Sequence, residues 1–195
     1  MPIAINGSGT VTGISAGGIS DTKAIADSAM PAGAILQVVQ GSKTSRSSFT
    51  GGGAFQDIGL KCNITPSSTS HKVLVIITIN CTTNANTPGY IVLARGGSDI
   101  AEGDSGTFTQ LGLGDAEGSR SRCGALCHEI DNDNDLSTHV ITYLDSPSST
   151  NAVHYETFMY TDGSGFVYVN GTKGNSDNAG HGRAASSITA MEIAA

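Results

Sequence analysis

The chain has 195 residues, a formal net charge of −7 and 14% charged residues, which is about half the charged share of an average soluble domain. This length allows one domain with a hydrophobic core and an appendage, or two small domains. Nucleic-acid binders carry a basic stripe, and the absence of any Lys/Arg run argues against that class. The longest apolar run, VLVIITI at 73–79, falls far short of the ~20 residues that span a bilayer.

The first 32 residues differ in composition from the rest of the chain. Gly, Ser and Ala together make up nearly half of them, with single Ile and Val residues in between. Residues 20–30 (SDTKAIADSAM) predict a short helix, because Ser20 or Asp21 can cap its start and Pro31 ends it. The start lacks a basic region followed by an apolar one, so we expect no signal peptide and synthesis in a cytoplasm. The change near residue 32 predicts an extended segment over 1–32 and a separate domain over 33–195.

From residue 34 onward, apolar and polar residues alternate with period two, which predicts β-strands. IGLKCNIT (58–65) shows the alternation most clearly, and KVLVIITINCT (72–82) is apolar on both faces, which predicts a central strand. The remaining predicted strands are 34–40, 89–95, 107–113, 122–130, 138–145, 153–161, 165–172 and 186–193. Asp162-Gly163 predicts a hairpin turn between two of them. No helix is predicted after residue 33, so the fold class is all-β, an antiparallel sandwich or jelly roll.

The tetrapeptide GDSG (103–106) invites comparison with the nucleophile motif GDSGGP of trypsin-like serine proteases. In this chain Thr107 follows Gly106, so the second glycine of the motif is lost. The only earlier histidine, His71, lies in a turn without the sequence context of that family. No pair of carboxylates is marked out for acid–base catalysis. We therefore expect no enzymatic activity.

Asp131, Asp133 and Asp135 occupy alternate positions, as the first ligands of an EF-hand loop do. The glycine at the sixth position and the glutamate at the twelfth are missing, since Leu136 and Thr142 stand there. The pattern favours a solvated acidic turn, and a looser cation site stays open as an alternative.

The four cysteines are expected to be free thiols, most of them buried, because a cytoplasmic origin disfavours disulfides. Cys123 and Cys127 are one residue too far apart for haem attachment. A zinc site would need two further ligands, from Cys62, Cys81 or a histidine. Whether those side chains converge stays open, and no cofactor is expected.

Seven stretches carry a resemblance to a known family: INGSGTVTGISAGGI (5–19), AGAILQVVQ, LKCNITPSSTSHKVLVIITIN, LARGG, YLDSP, YVNGT and SSITAMEIAA. They resemble virion proteins of tailed marine (cyanophage-like) bacteriophages, which are described as tail-fibre or tail-tip structural proteins. The first stretch is similar to the N-terminal segment of many such proteins. The resemblance covers nearly the whole chain, and its motifs are fold-forming rather than catalytic.

The resemblance implies a structural protein of the virion, made in the host cytoplasm, with a trimeric fibre or knob. Its C-terminal head would be a jelly-roll β-sandwich similar to tumour-necrosis-factor and complement-type globular heads. Residues 1–32 would trimerise and dock on other tail or capsid proteins, since three copies together can offset an ordering entropy that one cannot. The candidates for stacking along the shared axis are Ile3, Ile5, Val11, Ile14, Ile19 and Ile25.

Loops rich in Ser, Asn, Asp and Gly suit hydroxyl recognition, so a host-surface polysaccharide is the expected receptor class. An alternative is capsid decoration, as a head fibre, or a tail adaptor without contact to the host receptor. A glycan-degrading enzyme would need a carboxylate pair that the sequence does not mark.

Overall fold

The computed structural model describes residues 30–50, 52–84, 87–98, 108–128, 133–161 and 163–195. Across these ranges the chain forms eleven β-strands and no helix, so no helix that could cross a membrane occurs in the described part. The strands are β1 (Ile35–Lys43), β2 (Ser47–Thr50), β3 (Gln56–Ile64), β4 (Lys72–Thr83), β5 (Gly89–Gly96), β6 (Thr109–Leu111), β7 (Ala125–Cys127), β8 (Ser137–Asp145), β9 (Val153–Thr161), β10 (Phe166–Val169) and β11 (Ser186–Ile193).

Two antiparallel sheets pack face to face. In sheet A, β8 pairs with one edge of β4, and β11 and β10 share its other edge. The outer position of sheet A is held by β1 and β2, which pair with β11 and β10. Sheet B runs β3-β9-β5, and β6 and β7 share the far edge of β5. Each sheet is therefore four strand positions wide.

Counted along the chain as eight positions, the first pairs with the eighth, the second with the seventh, the third with the sixth and the fourth with the fifth. This nested pairing is the jelly roll, in which one long antiparallel ribbon is rolled into two sheets. The prediction of an all-β antiparallel jelly-roll sandwich is confirmed.

The core lies between the sheets and follows the period-two alternation of β4. Its inward side chains Val73, Val75, Ile77 and Ile79 have no solvent exposure, and they face residues of β3 and β9 such as Leu60. The predicted central position of β4 is confirmed. The last strand, β11, is also central, because β1 and β4 flank it.

The last strand position is split into β10 and β11, and the backbone conformation of Asn170 explains the break. Asn170 follows β10 directly and adopts a left-handed conformation with φ of 58°, which breaks an extended strand. Its buried amide donates to the carbonyl oxygen of Lys43 at 2.7 Å and accepts from the hydroxyl of Ser186. The chain leaves the sheet there and returns at β11, so the polar stretch 173–183 projects as a largely exposed loop, as predicted.

Two predictions about local strands are wrong in detail. The strands on either side of residues 162–165 do not form a hairpin, because β9 already has β3 and β5 on its two edges. The chain instead crosses from sheet B to sheet A, where β10 pairs with β2 and β4. The sequence also does not predict β2. Of its four residues, only Phe49 packs against the core, which leaves little alternation to detect.

Candidate functional site

Most of the sequence-predicted site residues fall outside the described part of the chain. These are Ile3, Ile5, Val11, Ile14, Ile19 and Ile25, the predicted helix up to residue 29, the GDSG stretch, and Asp131. Of the aspartates that are described, Asp133 forms an ion pair with Lys173, whose Nζ lies 2.8 Å from Oδ1. Asp133 thus already has a cationic partner within the protein.

The outward face of sheet A, over β1, β11, β4 and β8, carries a contiguous apolar patch, and about half of its side chains are apolar. One register row crosses all four strands and consists of Val38, Met191, Leu74 and Leu144. Val38 is 55% exposed and Leu144 is 49% exposed. The other apolar side chains of this face are Ile35, Ile76, Val140 and Ile193.

The charge pattern of this face is unusual for an acidic chain. Its remaining positions are Ser, Thr, Asn and Gln, and Lys72 at one corner is the one charged side chain among those described there. No acidic residue occurs among these described positions, although the chain carries a net charge of −7. In a sheet with one solvated face, the residues of each strand normally alternate between apolar ones that face the core and polar ones that face the solvent. A contiguous exposed apolar patch marks an interaction surface.

A second arrangement lies inside one end of the sandwich, and we call it the thiol–imidazole cluster. It comprises Cys81 on β4, Cys127 on β7 and His139 on β8, whose sulfur and ring-nitrogen atoms all lie within 4.8 Å of one another. Cys81 and Cys127 have no solvent exposure, and His139 is half-buried. Cys81 and His139 belong to sheet A and Cys127 to sheet B, so the cluster bridges the sheets.

The register of β4 and β8 explains why two of these side chains meet. Cys81 is directly opposite Ser137, and His139 lies two residues further along β8 on the same inward face. Such diagonal neighbours in an antiparallel pair are within reach of long side chains. The ladder of β5 with β7 places Cys127 opposite Gly89, which brings the second sulfur in from the other sheet.

Ser137 orients the ring of His139. Its hydroxyl donates to the carbonyl oxygen of Cys81 at 3.0 Å and lies 2.8 Å from His139 Nε2. A hydroxyl has a single proton to donate, so Ser137 accepts from Nε2–H. The other ring nitrogen, Nδ1, is left for a different partner.

The pKa values of the two buried thiols are shifted in opposite directions. The hydrogen bond with Cys81, helped by a hydrogen bond and charge interaction with His139, lowers the pKa of Cys127, although burial alone would raise it. The hydrogen bond with Cys127 and burial both raise the pKa of Cys81.

Of the sequence-predicted zinc ligands, the structure selects Cys127 with Cys81 and a histidine. Cys123 is half-buried and lies outside the cluster, and Cys62 is buried elsewhere in the core. None of the four cysteines forms a disulfide, and three are buried, which confirms the expectation of free thiols. The period-two alternation of β4 and β8 is the sequence signal that could have identified His139, because it places Cys81 and His139 on the inward faces of their strands.

A buried carboxylate, Glu192, anchors the last strand. Its Oε1 accepts from the Ser67 backbone N–H at 2.7 Å, the Ser67 hydroxyl at 2.8 Å and His71 Nδ1 at 2.7 Å. Its Oε2 accepts from Gln37 Nε2 at 2.6 Å. Burial would raise the pKa of Glu192, but the hydrogen bonds from Gln37, His71 and Ser67 lower it to about 2.

This Ser–His–Glu group is not a catalytic relay. In a nucleophilic triad, the serine and the carboxylate use opposite nitrogens of the imidazole. Here Ser67 Oγ lies 3.3 Å from Nδ1 of His71, the same nitrogen that contacts Glu192. The group therefore holds structure together rather than activating a nucleophile.

A second buried carboxylate ties the two sheets. Asp145 on β8 has its two oxygens 2.7 and 2.8 Å from Nη1 of Arg95 on β5. The hydroxyl of Tyr155 on β9 donates to Asp145 at 2.7 Å. Burial, followed by this hydrogen bond, raises the pKa of Tyr155, so the phenol stays a donor at neutral pH.

No family model matches the chain, and no curated protein matches it in sequence. A solved structure of the Gx strain of infectious bursal disease virus is similar, with 12% sequence identity and a TM-score of 0.32. The match covers 83% of this chain, which spans 39% of the length of the viral chain.

Proposed function

We propose that the chain is a structural protein of a tailed-bacteriophage virion, a short homotrimeric tail-fibre or tail-tip protein that contributes to host attachment. The observation that carries the proposal is the exposed apolar patch on the outward face of sheet A, whose described positions include no acidic residue. It is supported by the jelly-roll fold and by the resemblance of the sequence to virion proteins.

The partner on this face is a further copy of the same chain. An acidic chain placed against its own copy would repel itself through a face rich in Asp and Glu, and this face carries neither among its described positions. Closed rings of identical subunits are the common outcome when such a face meets another part of the same chain.

The size of the face agrees with this role. Four strands at about 4.8 Å spacing and about nine residues in length cover roughly 600 Å² in projection. A standard interface buries about 800 Å² per partner. The face supplies most of one such interface, and residues 1–32 would add the rest while docking on the particle.

The polar loops at the ends of the sandwich are the proposed receptor-contacting surface. The loop 173–183 is largely exposed and rich in Ser, Asn and Gly. Amide and hydroxyl groups of this kind suit a polysaccharide.

Native mass spectrometry of the full chain tests the oligomer. The unmodified protein at micromolar concentration should be a trimer, and Val38→Glu should shift it to monomer, because a buried, unpaired charge opposes association. Val38 is 55% exposed in the single chain, so the variant should fold. Ser119→Glu is the matched control and should stay a trimer, since Ser119 is exposed between β6 and β7, outside this face. A monomeric unmodified protein, or a trimeric Val38→Glu variant, contradicts the proposal.

The place of the chain in the particle is tested by labelling virions with antibodies raised against the full chain. Labelling at the tail tip, together with binding of the purified chain to host cells, supports the tail-fibre role. Labelling over the capsid, without binding to cells, favours the decoration or adaptor alternative.

A further inference from the structure

We propose that Cys81, Cys127 and His139 bind one zinc ion that fastens sheet B to sheet A at this end of the sandwich. Three protein ligands with a fourth position for water is a known arrangement for zinc, including a Cys₂His set. The inference does not depend on the proposed virion role.

The distances suit this ion. Zinc lies about 2.3 Å from sulfur and 2.0–2.1 Å from imidazole nitrogen, so tetrahedral donors are roughly 3.4–3.8 Å apart. The three donor atoms of the cluster lie within 4.8 Å of one another. Side-chain adjustments of about an ångström would close the site without moving the strands.

The donor set suits a soft divalent cation. Two thiolates and a neutral imidazole select zinc over magnesium or calcium, which prefer oxygen ligands. On binding, each thiol releases its proton to solvent, and the two sulfur charges then balance the charge of the ion.

The surroundings of the histidine are those of a metal ligand. Ring nitrogens that bind a metal are usually oriented by a hydrogen bond from the other nitrogen. In His139, Nε2–H is held by Ser137, which is itself fixed by the Cys81 carbonyl. His139 is half-buried, so its side of the cluster gives the ion an entry path and the open position a water.

The position of the cluster also gives the ion a structural task. β7 has only three residues and pairs with β5 alone, so it is weakly held within its own sheet. Bonds from Cys127 through zinc to Cys81 and His139 would tie this strand to β4 and β8. Binding to the folded state alone stabilises it by mass action.

Cobalt, the spectroscopic substitute for zinc, is the probe in the first test. The full chain, purified, reduced and stripped with a chelator, is titrated with Co²⁺ under reducing conditions. The expected result is saturation at one ion per chain, with tetrahedral ligand-field bands and a sulfur-to-cobalt charge-transfer band that zinc abolishes. Absence of these bands at micromolar cobalt overturns the proposal.

Variants assign the ligands. Cys127→Ser and His139→Asn should weaken binding by at least about 100-fold. Ser137→Ala, which removes the hydroxyl that contacts His139 Nε2 and the Cys81 carbonyl oxygen, should weaken it by about 10-fold. Cys123→Ser is the matched control and should bind as the unmodified chain does, because Cys123 lies outside the cluster. Unchanged binding by Cys127→Ser or His139→Asn overturns the assignment.

A thermal measurement keeps the test independent of variant folding. Zinc at about 100 times its dissociation constant should raise the melting temperature of the unmodified chain by roughly 5–10 °C. The same addition should leave Cys127→Ser unchanged. A rise of equal size in both proteins, or in neither, contradicts a zinc site at this cluster.

Discussion

The buried carboxylate of Glu192 provides the sharpest test of how the last strand is held. Glu192→Gln keeps the shape of the side chain and removes its charge. Ser67, His71 and Gln37 all donate to this carboxylate, and an amide can accept only part of that set. Its NH₂ group would also face donors at close range. We therefore expect a loss of stability at neutral pH.

The magnitude follows from the pKa. Lowering the pKa of Glu192 from its usual 4.5 to about 2 corresponds to a ceiling of about 3 kcal/mol, at roughly 1.4 kcal/mol for each factor of ten. Gln37 is half-buried and also bonds the Thr65 carbonyl oxygen near the surface, so solvent screens part of this interaction. The expected loss is about 2 kcal/mol.

The pH dependence has a definite sign. The folded-state pKa lies below the unfolded-state value, so the charged carboxylate stabilises the fold above the unfolded pKa. That contribution is lost as the pH falls from about 5 towards 2, where Glu192 takes up its proton. The difference between Glu192→Gln and the unmodified chain should therefore be full at pH 7 and mostly gone at pH 2.

Urea unfolding followed by far-UV circular dichroism measures this difference, since the chain has no Trp for fluorescence. Both proteins are compared at one fixed concentration, because association shifts apparent stability. Glu117→Gln is the matched control: Glu117 pairs with Arg120 at 2.8 Å, and its side chain is 75% exposed, so it should have almost no effect. A destabilisation of Glu192→Gln that is the same at pH 7 and pH 2 would refute the reasoning.

Two other predictions concern the packing of the sheets and the division of the chain. Gly41→Ala should destabilise the fold by about 3 kcal/mol in urea unfolding, because its Cβ would overlap the Lys61 carbonyl oxygen on the opposite sheet. Gly97→Ala is the control, since its Cβ would meet nothing within 4 Å, and it should change the free energy of unfolding by less than about 0.5 kcal/mol. Equal effects of the two substitutions would contradict this account of the packing. Deleting residues 1–32 should leave a folded head with a β-type dichroism spectrum and a cooperative unfolding transition, because the Gly33 backbone nitrogen already bonds Ala194. That head should no longer join the particle. Incorporation of the truncated chain would place the anchor elsewhere.

The strands could be predicted because their signal is local. In β4 and β11 the inward residues alternate with outward ones, and a single face against the core imposes that pattern wherever the strand pairs. The weaker strands β6 and β7 were predicted too long, since three residues of pairing leave little pattern. The hairpin after β9 was wrong because Asp162-Gly163 specifies only a change of direction, whereas the edges of β9 were already taken.

The candidate sites depend on tertiary structure more than the strands do. Cys81, Cys127 and His139 are far apart along the chain, and their meeting requires both the β4–β8 register and the packing of sheet B on sheet A. The sequence offered Cys127 with Cys81 or a histidine among several combinations. Only the structure separates these from Cys123 and Cys62.

The sequence by itself determined the low charge of the chain and the all-β class of its described part, because composition and period-two alternation act within a few residues. The tertiary structure decided which strands are neighbours, and therefore which side chains share a surface. The outward row from Val38 to Leu144 is one consequence, and the bridge from Cys127 to the other sheet is another. Both arise from strand register, which depends on contacts between residues that are distant in sequence.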